Sequence, residues 1–152
     1  VNHSIITITT ELNDITNESL ADLYDSVGYG SAESYLAHDN FVKLIFPPGV
    51  FGFFALNEDK SLLGMIRVFS DDYICSWIAE MCISPRAEGA SIKEALLKAL
   101  TDRLGHTALF TEAFDEEIEV YKKFGITAKK KLTALSCAPT LGPRQYPKPF
   151  IH

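Results

Sequence analysis

The stretch from Ile74 to Leu100, ICSWIAEMCISPRAEGASIKEALLKAL, restricts the possible folds more than any other part of this chain. Ile74 to Ile83 is β-branched, aromatic and otherwise apolar, the pattern of a buried strand. Ser84-Pro85 ends that strand, because proline has no amide hydrogen to offer a neighbouring ladder. From Ile92 onward, Ile92, Ala95, Leu96, Ala99 and Leu100 recur at helical spacing, with Lys93, Glu94 and Lys98 on other faces. Strand, short loop with Gly89 and Ser91, then helix is an arrangement suited to an anion. The first-turn amides and the positive end of the helix dipole point into the loop.

With 152 residues, 47% hydrophobic and 22% charged, the chain has the composition of one soluble globular domain with a sizeable core. No apolar run approaches the ~20 residues that span a bilayer, and VNHSIITITTELND lacks the basic region and apolar core of a signal peptide. Three cysteines, Cys75, Cys82 and Cys137, are an odd number without metal-type spacing. Cys75 and Cys82 are read as free thiols buried in the strand. A cytoplasmic setting is expected, with no membrane partner and no metal. The net charge of −6 and the lack of a basic patch beyond Lys129-Lys130-Lys131 argue against nucleic acid as a partner.

Along the chain, Ile5–Thr10 reads as an edge strand. Thr16 or Asn17 caps a helix bearing Leu20, Leu23, Tyr24 and Val27, which Gly28-Tyr29-Gly30 ends. Ser31 caps a second helix with Tyr35 and Leu36. After Pro47-Pro48-Gly49, Val50–Leu56 and Leu62–Phe69 form a hairpin that continues through Ser70-Asp71-Asp72 into the strand above, a three-stranded antiparallel meander. Gly52 and Gly64 mark bulges or close packing. His106–Glu112 is a further strand. Asp115 caps a helix with Ile118, Val120, Tyr121 and Phe124 that stops at Gly125, and Leu132–Cys137 is a last strand. Residues 1–138 form a single domain, and 139–152, with four prolines in fourteen residues, form an extended tail.

Two segments carry a resemblance. Strand, acidic residue, Pro, Gly-containing loop and Leu-Leu at residues 74–97, with Val120-Tyr121-Lys122-Lys123-Phe124-Gly125-Ile126 downstream, resemble the GNAT superfamily of N-acetyltransferases over about residues 50–126. Leu23–Tyr29 also looks like a Leu-Tyr-x-Ser-Val-Gly-Trp segment of part of that superfamily, with Tyr29 where tryptophan is usual. The resemblance implies an α+β fold: a central mixed, mostly antiparallel sheet flanked by helices. A splayed strand pair in that sheet takes the cofactor. It also implies transfer of an acetyl group from acetyl-CoA to a small-molecule or terminal amine, directly in a ternary complex.

By the same resemblance, Met81, Cys82 and Ile83 hold the pantetheine arm through backbone pairing, and Glu88, Gly89, Ala90, Ser91, Ile92 and Lys93 take the pyrophosphate. The usual Gln/Arg-x-x-Gly-x-Gly/Ala, aligned through Leu96-Leu97, becomes Glu88 to Lys93, with Lys93 offsetting the Glu88 carboxylate. An alternative register through Arg86-Ala87-Glu88-Gly89-Ala90-Ser91 shifts the helix by two residues. Tyr121 matches the tyrosine that protonates the departing thiolate, and Glu80 an acidic position that draws the proton from the amine. Tyr24, Tyr29 and Tyr35 are read first as core packing with hydroxyls at the surface. Tyr29 in its loop is the best placed to bind the acceptor substrate. His106 is read as structural, and His38 as an outside candidate for a base. A homodimer is compatible with the resemblance and with the tail. The alternative function is a non-catalytic GNAT-fold binding or regulatory module, in which the altered Glu88–Lys93 loop has lost catalysis.

Overall fold

A computed structural model describes residues 5–87 and 89–137. Among these residues, five strands form one sheet in the order β1-β2-β3-β4-β5: Thr7–Thr9, Val50–Leu56, Leu62–Ser70, Cys75–Ile83 and Ala108–Thr111. The first four pair antiparallel, and β5 joins β4 in parallel. Parallel neighbours need a crossover, here the 16-residue helix α4, Gly89–Leu104. Helices α1 (Asn17–Ser26), α2 (Ala32–Leu36) and α3 (Phe41–Ile45) precede β2, and α5 (Ile118–Lys122) follows β5. The expected α+β sheet and its antiparallel meander are both present.

VFGFFAL and LLGMIRVFS read as nearly continuous apolar runs because both faces of the sheet are covered. Phe54, Met65 and Cys82 belong to the core beneath α1 and α3, with Leu20, Leu23, Phe41 and Phe46. Phe53, Ile66, Val68 and Ile78 belong to the opposite core with Ile92, Leu96, Leu97, Leu100 and Leu104 of α4. At ~2 kcal/mol for each buried aliphatic side chain, those five bind α4 to the sheet by on the order of 10 kcal/mol before ordering entropy. Gly64 lets the layers approach: a Cβ there would stand 2.8 Å from Ile83 Cδ1 and 3.0 Å from Ile92 Cγ2. The α1 start is a capping box, with Thr16 accepting from the Ser19 amide at 3.0 Å.

Several expectations need correction. Leu132–Cys137 is irregular, not a strand. Leu132 and Leu135 point into solvent, with no neighbouring strand among the described residues to bury them. Asp115 does not cap a helix. It opens a 3-10 turn, Asp115–Glu117, and α5 is a single turn and a half behind it. Cys75 is exposed, because β4 begins at the sheet's solvent end, whereas Cys82 is buried. The helix α3 went unread before Pro47. The Pro-rich tail at 139–152 lies outside the described residues.

Candidate active site

The site is aimed by a bulge in β4. Arg67 pairs with Glu80 but Val68 with Ile78, so Ala79 is an extra residue between them. One inserted residue reverses the alternation of a strand. Ile78 therefore faces α4, while Glu80 and Cys82 face α1. Glu80 enters a cavity of about 330 Å³ that it shares with Tyr24, Tyr29, Tyr35, Phe41, Ile45 and Arg67.

The carboxylate is fixed from two sides. Arg67 donates from Nε to Oε1 at 2.8 Å and from Nη2 to Oε2 at 3.3 Å, and the Tyr24 hydroxyl donates to Oε1. Burial and then the Glu80 charge push the Tyr24 phenol far above its ordinary value, so it stays protonated as a donor. For Arg67, burial opposes the charge, but the hydrogen bonds and charge of Glu80 outweigh it and raise the guanidinium. Tyr35 stacks on Phe41, centroids 4.7 Å apart, and donates to the Tyr29 carbonyl at 2.6 Å, holding the loop that carries Tyr29. Tyr24 and Tyr29 were expected to turn their hydroxyls outward. Tyr24 instead buries its hydroxyl on Glu80, since a buried carboxylate requires donors. Tyr29 lines the cavity, with its hydroxyl against the Cys82 sulfur.

Beyond the cavity the sheet opens. Pairing of β4 with β5 ends at Ile78–Thr111, while β4 continues on β3 through Met81, Cys82 and Ile83. The β5-side edge of those three residues has no strand partner among the described residues. Tyr121 stands at this gap from α5, its phenol beside the Thr111 hydroxyl. Burial raises the Tyr121 phenol against the opposing hydrogen bond with Thr111, with the Glu117 charge and Tyr29 adding to the rise. The Cys82 thiol is pushed up to about 12, first by burial and then by the Glu80 charge.

A sheet that parts between β4 and β5, with α4 following the longer strand, is the geometry the sequence resemblance implied. The sequence profile of the Acetyltransferase (GNAT) family matches residues 12–126. The chain belongs to the GNAT acetyltransferase family. Solved structures with the same fold include a GNAT-family acetyltransferase from Streptococcus pneumoniae TIGR4, 19% identical with a TM-score of 0.65, covering 90% of this chain and 100% of that one. Another is glucosamine-6-phosphate N-acetyltransferase from Arabidopsis thaliana, 13% identical with a TM-score of 0.64, covering 87% and 98%. A third is a ribosomal-protein-alanine N-acetyltransferase from Brucella melitensis, 13% identical with a TM-score of 0.58, covering 88% and 99%. No curated protein matches the chain.

The Met81–Ile83 edge, without a strand partner among the described residues, offers backbone groups, while the Tyr29 hydroxyl lies against the Cys82 sulfur and the Tyr121 phenol beside Thr111. The segment for which the resemblance implies pyrophosphate is more particular. Glu88 lies outside the described residues. Gly89, Ala90 and Ser91 form the first turn of α4, and the Ile92 side chain is buried in the core, leaving only its backbone for a ligand. Lys93, further along the helix, gives its ammonium to Glu117 Oε1 at 2.8 Å.

Two charged residues of this GNAT chain, Arg67 in the cavity and Glu117 on Lys93, escaped the sequence reading. Arg67 could have been found, because a lone cation amid LLGMIRVFS demands a buried partner. Glu117 carries no such signal within Asp115-Glu116-Glu117. His106 contacts Asp72, at 3.0 Å from its carbonyl, near the start of β4 and away from the cavity. His38, between α2 and α3, is not among the cavity-lining residues.

Proposed function

We propose that this protein transfers an acetyl group from acetyl-CoA to a small-molecule or terminal amine, directly and without an acyl-enzyme. One observation carries the reading: a cavity holding a fixed carboxylate and Tyr29 lies beside the strand gap at which Tyr121 stands. Bound coenzyme would supply an activated acetyl thioester. Tyr121, kept protonated by its raised pKa, would donate to the departing sulfur. Glu80 would accept a proton from the incoming ammonium, directly or through water. Its Oε1 already takes two hydrogen bonds, and Oε2, with a single long one, retains acceptor capacity. Tyr29, which lines the cavity and touches Cys82, would orient the acceptor across the gap. Cys82 is unsuited to carry the acetyl group, since a thiol with a pKa of about 12 is scarcely ionised at neutral pH.

A second reading, a binding or regulatory module without turnover, is favoured by the Lys93–Glu117 pair, which places a carboxylate where the resemblance puts pyrophosphate. Thermal melting with acetyl-CoA, followed by an amine panel, separates the two. Coenzyme at 100 times its Kd adds ~2.7 kcal/mol of stability in either case. Amine-dependent release of free coenzyme A identifies the enzyme, whereas stabilisation without release on any amine identifies the module.

A further inference from the structure

The proposed donor site contains its own anion. Lys93 stands at the position where the family resemblance has Gly or Ala, and its ammonium crosses to Glu117. Lys93 belongs to the segment after β4, and Glu117 closes the 3-10 turn after β5. Their ion pair therefore ties together the two segments that follow the parting strands. The side chains are only 26% and 18% exposed, so water and salt screen the pair less than a surface bridge. A more exposed pair, Glu94 with Lys123, links the same two segments behind it.

We propose that the Lys93–Glu117 ion pair is a latch over the phosphate end of the donor site, opened when coenzyme A takes the place of Glu117 on Lys93. This rests on the acetyl-CoA reading given under Proposed function, with the pyrophosphate taken by residues 88–93 as the resemblance implies. A carboxylate and a diphosphate cannot share one ammonium without mutual repulsion, so one displaces the other. Where only the opened state binds, the apparent Kd rises in proportion to the closed population. Glu117 thus sets donor affinity, although the diphosphate is attracted by Lys93 and not by Glu117. Opening the latch also releases the turn that leads into α5 and Tyr121, which couples donor arrival to the placement of the proton donor.

The test is a double-mutant cycle on coenzyme A affinity, measured by calorimetry on the full chain at low salt. The variants are Glu117→Gln, Lys93→Gln and the double variant, with melting temperatures showing that each is folded. Glu117→Ala serves as a second variant should glutamine keep a hydrogen bond to Lys93. The latch predicts that Glu117→Gln or Glu117→Ala tightens binding about tenfold, a shift of ~1.4 kcal/mol. It also predicts that Lys93→Gln weakens binding and that the gain at position 117 vanishes in its background. Unchanged or weaker binding by both Glu117 variants, with measurable binding by the parent protein, overturns the latch alone. A gain that persists without Lys93 also overturns it, since that gain is then simple removal of a like charge. If neither the parent protein nor any Glu117 variant binds coenzyme A at millimolar concentration, the donor-site reading falls as well.

Discussion

Cys82 and Cys75 show how position along one strand decides chemistry. Both were expected to be buried thiols, yet Cys75 is exposed at the start of β4 and Cys82 is sealed under α1 beside Glu80. A thiolate is the reactive form, and at pH 8 a thiol of pKa about 12 is ionised at roughly one part in ten thousand. Alkylation of the native protein by iodoacetamide should therefore modify Cys75 and Cys137 and spare Cys82. Peptide mass spectrometry reads this directly, and rapid modification of Cys82 would mean that α1 does not seal the site. Arg67 and Glu80 are similarly interdependent. Either charge alone, mostly shielded in the cavity wall, would lack the partner that offsets its desolvation.

At the scale of elements, the turn between β3 and β4 is bound to the end of α4. Arg103 donates to both carboxylate oxygens of Asp72 at 2.7 and 2.6 Å, and His106 approaches the same residue. The Arg103 hydrogen bonds hold the Asp72 carboxyl below the ordinary carboxylate range. As pH falls, the unfolded chain binds this proton first, near its ordinary pKa of ~3.9. The contribution of Asp72 to stability is therefore complete above that value and is lost as pH drops through the lower folded pKa. Asp72→Asn suits the test, because asparagine tolerates the left-handed backbone here, φ 55°. Its melting temperature should lie below that of the parent protein near neutrality and converge with it in strong acid. A constant gap across pH would contradict this. Gly64→Ala should cost ~1–3 kcal/mol by overpacking β3 against Ile83 and Ile92, seen as a lower denaturation midpoint at unchanged slope.

Elements also mark the boundary of what could be read from sequence. Strand β4, its Pro stop and α4 were legible, because apolar periodicity and a chain breaker are local signals. The bulge was not: Trp77-Ile78-Ala79-Glu80-Met81 contains no glycine or proline, and Ala79 is extra only relative to β3. With the bulge unread, the direction of Glu80 and the cavity shared with Tyr24 and Arg67 could not be derived. Leu132–Cys137 failed for the opposite reason, since LTALSC has strand composition but no partner strand among the described residues.

For the molecule as a whole, two cores on opposite faces hold one sheet, and among the described residues the only parallel pairing is the one that parts. Strand β5 stops at Thr111 while β4 runs on to Ile83, so the gap follows from unequal strand length as well as from the crossover through α4. Tyr29 touches Cys82 of β4 on the α1 side, and Tyr121 stands at the gap from the segment packed with α4. Among the described residues, no helix is long and apolar enough to cross a membrane. The acetyl-transfer reading requires that Tyr121 act there as a proton donor, and not merely as core. The most direct measurement is amine-dependent release of coenzyme A by the parent protein and by Tyr121→Phe, with both melting temperatures recorded. Proton donation by Tyr121 predicts that kcat falls by ~10²–10⁴, with little change in stability or in donor affinity. A folded Tyr121→Phe protein that turns over within about threefold of the parent would contradict it.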